Sequence, residues 1–490
     1  MKKPNILLIM ADQLTPFMTG FYGNPQVKTP NLDKLCADSI RFDEAYTPYP
    51  LCAPARASLM TGKYAHDLGC YDNATPFSSA QPTVAHYLTR LGYDTALTGK
   101  MHFLGPDQLH GFHRRLTTDI YPSSFDWLPK FHDREKHIMQ DPVGNAINYV
   151  DGRLGPQEWN KFINYDEETH FRALEFLHGQ KDDNQPFFLC CSYHHPHDPF
   201  NPPAKYWDMY KDADMDIPEI NEETALSYTT LDKWLNYGFH RNDKYDIRDP
   251  ENLLKLRRCY AALVTYIDDK VGELMTALRD AGLDDNTAII FTTDHGDMLG
   301  DRGMVQKRCF YEWSAKIPLL LRLPDRAHAG VRCKTLASLI DIAPTLRHLG
   351  GDAEYHINSD GISLVDALGS RYEDRIVYSE GHGEGVLCPV FMARYKRFKC
   401  VYMHGYEKET LLFDVNADPK EQINLYGAAE YQGIADMLVS SILSRFSVEK
   451  IQEELDTGIQ ERKIIMEAMQ LSGTTWDYTP CFPGNKRYVR

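Results

Sequence analysis

The sequence predicts an α/β protein: a mostly parallel sheet between helices, followed by a smaller C-terminal antiparallel α+β unit and a tail. Three observations carry this. Up to about residue 350, short apolar, β-branched runs recur after amphipathic helical stretches, the pattern of a parallel sheet covered on both faces. From residue 375 onward that rhythm gives way to short strands spaced for hairpins. The composition, 43% hydrophobic and 25% charged over 490 residues, is that of an ordinary globular chain rather than a disordered or fibrous one.

Taken in order, the first strand is residues 5–10, Asn-Ile-Leu-Leu-Ile-Met, which stops at Asp12-Gln13 and is too short for the apolar core of a signal peptide. Residues 93–97, 187–191 and 287–291 are the next strands, preceded by helical patterns over 83–91, 167–177 and 253–281. Polar groups follow every strand: Asp12-Gln13, then Lys100 and His102, then His194-His195-Pro196-His197-Asp198, then Asp294-His295. The ligand crevice of an open α/β sheet lies beyond the carboxyl ends of its strands, so these four ends define one crevice. Further on, residues 375–378, 390–394, 398–403 and 410–414 form a small antiparallel sheet, and residues 429–445 and 448–470 are helical. The chain thus divides into residues 1–372, 373–470 and an irregular tail, 471–490.

Charge and cysteine content exclude several function classes. With 53 Lys and Arg against 69 Asp and Glu, the formal charge is −16, the wrong sign for a protein that neutralises phosphates of nucleic acid. No stretch approaches the roughly 18 to 20 apolar residues of a membrane span. Eleven cysteines, an odd number without CxxC spacing, favour a reducing, cytoplasmic setting.

The sharpest motif is Cys52-Ala53-Pro54-Ala55-Arg56, continued by Ala-Ser-Leu-Met-Thr-Gly-Lys. C-x-P-x-R arises by chance only about 0.03 times in a chain of this composition, and the extension makes it stronger still. Pro54 suits the first turn of a helix, so residue 52 is expected just outside a helix N-terminus, where backbone N–H groups favour an anion. A lone buried cysteine is the bland alternative.

This motif resembles that of the type I sulfatase family, with its alkaline-phosphatase-like fold. In that family the cysteine is oxidised to formylglycine by a formylglycine-generating or anaerobic maturating enzyme, and the hydrated aldehyde is the nucleophile. A geminal diol attacks sulfur with one oxygen and expels sulfate with the other as the aldehyde re-forms. The resemblance makes Asp12, Gln13, Asp294 and His295, with residue 52, the ligands of a divalent metal. Such an oxygen-rich set suits Ca²⁺ before Mn²⁺ or Mg²⁺. Negative charge develops on the sulfate and the leaving oxygen, so fixed cations are needed, and Arg56, Lys100 and Lys307 supply them. By resemblance His197 is the acid at the leaving oxygen and His102 contacts the diol.

A narrower likeness is to choline-sulfatases. It is carried by Tyr71-Asp72-Asn73-Ala74, Gly99-Lys100-Met101-His102-Phe103, residues 105–112, residues 116–122, and Trp476-Asp477 in the tail. It implies a homo-oligomer in which the tail reaches a neighbouring subunit's site, and a quaternary-ammonium pocket made by Asn73, Trp127, Glu380 and Asp477. An aromatic face and nearby negative charge are what hold such a cation. The sequence departs from those enzymes in residues 128–149, which lack their further tryptophans. Two alternatives stay open. A phosphonate monoester hydrolase or phosphodiesterase shares the metal set but lacks the Lys-x-His arrangement of Lys100 and His102, and a silent binding protein would keep the fold without the aldehyde.

Overall fold

The computed structural model describes residues 3–125, 131, 133–135, 154–180, 184–220, 226–240 and 246–476. An eight-stranded sheet runs through the first 350 residues. Its strands are β1 (Asn5–Asp12), β2 (Ile40–Phe42), β3 (Asp94–Gly99), β4 (Arg114–Arg115), β5 (Phe187–Pro196), β6 (Thr287–Thr292), β7 (Leu319–Arg322) and β8 (Arg332–Cys333). In space the order is β4-β3-β5-β1-β6-β7-β2-β8. Pairing is parallel throughout except that β7 runs against both β6 and β2.

Strand β1 lies at the centre, with Leu8 in register with Cys190 on β5 and Ile290 on β6, and every one of its residues is buried. Side chains alternate across a strand, so the two faces of β1 meet different layers. Leu7, Ile9 and Ala11 pack with helices α4 (Lys161–Gly179) and α5 (Pro250–Asp280), while Ile6, Leu8 and Met10 pack with α2 (Cys52–Thr61), α3 (Val84–Arg90) and α6 (Ile342–Leu349). Helix α1 (Pro30–Ala37) adds Leu32 and Leu35 to the first layer. Local capping agrees with this plan: the Asn160 side chain accepts hydrogen bonds from the N–H groups of Phe162 and Ile163, and Asp249 caps the 31-residue α5 just before Pro250.

The second sheet is fully antiparallel, β9 (Ile376–Gly381), β10 (Val390–Tyr395), β11 (Phe398–Met403) and β12 (Leu411–Asp414) in that order. One of its faces packs α7 (Gln432–Arg445) and α8 (Val448–Ser472), through residues such as Phe391, Ala435, Leu438 and Leu455. Lys399 on β11 is buried and tied to Glu312, at 2.9 Å, to Glu421, and to the carbonyl of Phe310, which fastens this sheet to the larger one.

Two details differ from the sequence reading. Strand β5 continues to Pro196, so His194 and His195 belong to the strand end rather than to the loop after it. Cys52 is the first residue of α2 rather than a residue outside it, because the N–H of Ala55 already bonds the carbonyl of Leu51 at 3.0 Å. Among the described residues no helix is long and apolar enough to cross a membrane.

Strand β3 ends in Gly99, whose φ is +91° and whose missing Cβ would lie 1.9 Å from the carbonyl oxygen of Ser192. Gly99→Ala is therefore expected to cost about 2 kcal/mol or more, by backbone strain and by displacing β5. A urea-unfolding midpoint unchanged from wild type would contradict this account.

Candidate active site

Three strand ends and one helix start converge. Asp12 closes β1, Asp294 and His295 follow β6, Lys100 follows β3, and Cys52 opens α2. Ligand atoms of Asp12, Cys52, Asp294 and His295 lie within 4.8 Å of one another, all buried. One carboxylate oxygen of Asp12 is buried with no hydrogen-bond partner, and burying such an atom is costly unless something electropositive meets it. The Nδ1 of His295 faces the carbonyl of Gly296 at 3.0 Å, and donation there leaves Nε2, 3.1 Å from the Cys52 sulfur, with its lone pair turned inward. Two carboxylates, an imidazole and residue 52 thus fit a divalent metal.

Arg56, one turn along α2, is fully buried between the carboxylates, with Nη2 3.0 Å from Asp12 and Nε 2.8 Å from Asp294. Its remaining N–H groups reach the carbonyl of Lys100 at 2.5 Å and the hydroxyl of Ser192 at 3.0 Å. Lys100 pairs with Asp12, and its ammonium is 3.8 Å from the Cys52 sulfur. Burial alone would raise the Asp12 carboxyl, but the charges of Lys100 and Arg56 hold it far below the usual carboxylate range.

Lys307 and His197 form the opposite wall. The Nζ of Lys307 meets Nε2 of His197 at 2.8 Å, and the ring's Nδ1 faces the carbonyl of Asp198 at 2.7 Å. Burial, then Lys307 and Lys100, push the His197 imidazolium well below its ordinary range, so the ring is neutral until a negative charge enters. The Gln13 side chain bridges two groups: its amide oxygen accepts from Lys307 and its amide nitrogen donates to Asp297. His102 packs on Tyr121 with ring centroids 4.9 Å apart, and burial and Lys100 lower its pKa to about 3.

Of the four residues assigned to substrate, the structure describes two. Trp127 and Asp477 lie outside the described residues. Asn73 uses its side-chain oxygen to accept from the N–H of Ala53 at 3.0 Å. Glu380, at the end of β9, is fully buried and bonded to the N–H and ring of His66 and to Nε2 of His382 at 2.8 Å.

Three residues of the site escaped the sequence reading. Asp297 accepts from Gln13 and from the N–H groups of Leu299 and Gln306. Asp119 receives the N–H groups of Met101 and His102, and the Tyr121 ring lies 4.7 Å from the Lys100 ammonium. Asp119 and Tyr121 sit in a segment whose family likeness was legible, but a carboxylate or phenol in a loop carries no signal of its own. His195 pairs with Asp166 at 2.6 Å.

Comparison with known proteins decides the family. The sulfatase family model matches residues 4–351, and a model of the C-terminal part of N-sulphoglucosamine sulphohydrolase matches residues 300–447. The chain belongs to the sulfatase family. Among relatives of this sulfatase, a choline-sulfatase of Rhizobium meliloti is 37% identical over 100% of this chain and 96% of its own. An arylsulfatase of Clostridium perfringens is 30% identical over 89% of this chain and 93% of its own. Among solved structures, the phosphonate monoester hydrolase of Agrobacterium radiobacter superposes with a TM-score of 0.69 at 26% identity, covering 90% of this sulfatase and 95% of that chain. Membership implies a divalent metal and a formylglycine-type modification, consistent with the donor cluster of Asp12, Cys52, Asp294 and His295.

The Glu380 arrangement predicts a pH dependence. Burial would raise this carboxyl, but the charge of His66 and the hydrogen bonds from His382 and His66 hold it down to about 2. Its contribution is complete above the unfolded carboxyl pKa and is lost as pH falls toward 2, a change on the order of 3 kcal/mol. Thermal melting from about pH 5 down to about pH 2 should therefore fall more steeply for wild type than for Glu380→Gln, and parallel slopes would refute the pairing.

Proposed function

We propose that this sulfatase cleaves the S–O bond of a small alkyl sulfate ester, with choline-O-sulfate the first candidate, using residue 52 as a formylglycine nucleophile. The observation that carries the reading is Cys52 at the start of α2, between the His295 ring and the Lys100 ammonium. The choline assignment draws support from the 37% identity to a choline-sulfatase across the whole chain.

Asp12, Gln13, Asp294 and His295 would hold a divalent cation, Ca²⁺ by the hardness of these oxygen donors, which would supply Lewis-acid polarisation of the sulfate, and residue 52 as the aldehyde hydrate would supply the attacking oxygen. Arg56 holds the two carboxylates together and does not reach outward. Lys100 and Lys307 bring positive charge to the sulfate oxygens from opposite walls. His197, neutral at rest, gains a proton when the sulfate's charge offsets the two lysines, and delivers it from Nε2 to the leaving alcohol. His102, neutral and packed on Tyr121, accepts a proton from residue 52 in the release step. Trp127 and Asp477 are the aromatic and acidic partners of the alcohol's quaternary ammonium, while the Asn73 oxygen serves the N–H of Ala53 and Glu380 its two histidines. We assign the tail beyond Trp476, whose own ring packs on Phe125 of the same chain, to a neighbouring subunit of a homo-oligomer, the activating step to a formylglycine-generating or anaerobic maturating enzyme, and the protein to the cytoplasm, where ten cysteines without a disulfide among the described residues remain reduced.

The likeness to a phosphonate monoester hydrolase favours a second reading, hydrolysis of phosphonate or phosphate esters by the same residues. Both are tested by comparing choline-O-sulfate, 4-nitrophenyl sulfate and a phenyl phosphonate monoester, with the aldehyde at residue 52 verified by mass. A preference for choline-O-sulfate supports the proposal. Faster aryl sulfate turnover discards the ammonium pocket, and a preference for the phosphonate installs the second reading.

Cys52→Ala should abolish turnover with melting temperature unchanged, and surviving turnover would refute the nucleophile. His197→Ala should cost about 10²-fold or more on choline-O-sulfate but far less on 4-nitrophenyl sulfate, whose leaving group needs no proton. Equal losses on both esters would reassign His197.

A further inference from the structure

Helix α2 begins without a cap of its own. Its N-cap residue is Leu51, whose side chain accepts no hydrogen bond, so the first N–H groups of the helix must find partners elsewhere. The N–H of Ala53, the residue after Cys52, finds one in the side-chain oxygen of Asn73, 21 residues past Cys52 in a separate loop. What fixes Asn73 therefore fixes the turn that carries residue 52.

Asp72 does so. Its Oδ1 accepts from the N–H of Ala74 at 2.9 Å and from the hydroxyl of Thr75 at 2.8 Å, folding the loop into an Asx-type turn that aims Asn73 at α2. Asp72 is in turn gripped from the far end of the sequence. Arg462 on α8 reaches both carboxylate oxygens, Nη1 to Oδ1 at 2.6 Å and Nη2 to Oδ2 at 3.0 Å, and Nε donates to the carbonyl of Gly458 at 3.1 Å. Both residues are buried, and the guanidinium lies 4.9 Å from the ring of Phe131. A bidentate Arg–carboxylate pair defines distance and plane together, which a single charge does not. The same helix bonds the neighbouring Tyr71 hydroxyl through Glu454. An apolar contact runs beside the polar one: Met466 of α8 and Trp476 just beyond it pack onto the cluster of Ala53, Ala74, Leu104 and Phe125.

We infer that α8 is a strap that sets the position of residue 52, with Arg462 as a positioning residue acting through Asp72, Asn73 and the N–H of Ala53. The inference rests on residue 52 being the nucleophile. Nothing in the sequence near Arg462 resembles a site motif, and the residue is 410 positions beyond Cys52. A displacement of about 1 Å at a nucleophile is enough to lose about 10²-fold in rate, so the strap need not touch substrate to control turnover.

The test is steady-state kinetics on choline-O-sulfate and 4-nitrophenyl sulfate, with melting temperatures, for Arg462→Met, Asn73→Ala and the double variant. Leu438→Ala, a buried α7 residue in the adjoining core, serves as the stability control. Arg462→Met should lower kcat about 10- to 100-fold with KM within about threefold, while Leu438→Ala, at an equal or larger loss of melting temperature, keeps kcat within about threefold. The double variant should be no slower than Asn73→Ala, because both act along one path. A wild-type kcat in Arg462→Met, a loss no larger than that of the control, or losses that multiply in the double variant would overturn the strap. If Arg462→Met does not fold, Asp72→Asn reports the same quantity, and an unchanged kcat there overturns it equally. Loss of turnover in Cys52→Ala beside a wild-type Arg462→Met removes the strap alone, whereas turnover surviving in Cys52→Ala removes the reading beneath it.

Discussion

The site depends on one buried cation. Asp12 and Asp294 are both fully buried, and two carboxylates that close together in a dry interior repel each other and lose their hydration. Arg56 makes the arrangement tenable, because its planar guanidinium reaches one carboxylate with Nη2 and the other with Nε while Nη1 pins the backbone of Lys100. It also links four strands to helix α2, since its partners come from β5 and from the ends of β1, β3 and β6. A lysine has one ammonium point and cannot make these four contacts at fixed angles.

Around that centre the protein separates tasks by layer. The parallel strands deliver the charged groups to one edge, and the helices behind them hold the strands in register by alternate burial. The antiparallel sheet contributes no residue to the metal-donor cluster among the described residues. It is fastened to the catalytic layer through Lys399 and presents Glu380 to His66, in the segment just after α2.

The C-terminal helix adds a different kind of constraint. An enzyme whose nucleophile stands at a helix start needs that first turn held still, and Leu51 offers no local cap. The structure answers with a borrowed one, Asn73, braced by a bidentate ion pair from α8. Buried ion pairs add little to stability but fix geometry well, which is the property a nucleophile requires.

Much of this was readable in the chain alone. The four central strands, the long helices before them and the change to hairpin-spaced strands after residue 375 follow from apolar periodicity, since burial on both faces demands near-continuous apolar runs. The extended Cys52 motif and the Asp-Gln and Asp-His pairs were legible because their chemistry needs those residue types at short spacing. The tertiary structure decided what spacing cannot carry. It set β7 against its neighbours, extended β5 through His195 onto Asp166, spent Glu380 on two histidines, and joined Arg462 to Asp72 across 390 residues. Each of these is a polar contact between distant segments. A hydrogen bond depends on where two backbones meet in space, and local pattern records only which face of an element is buried.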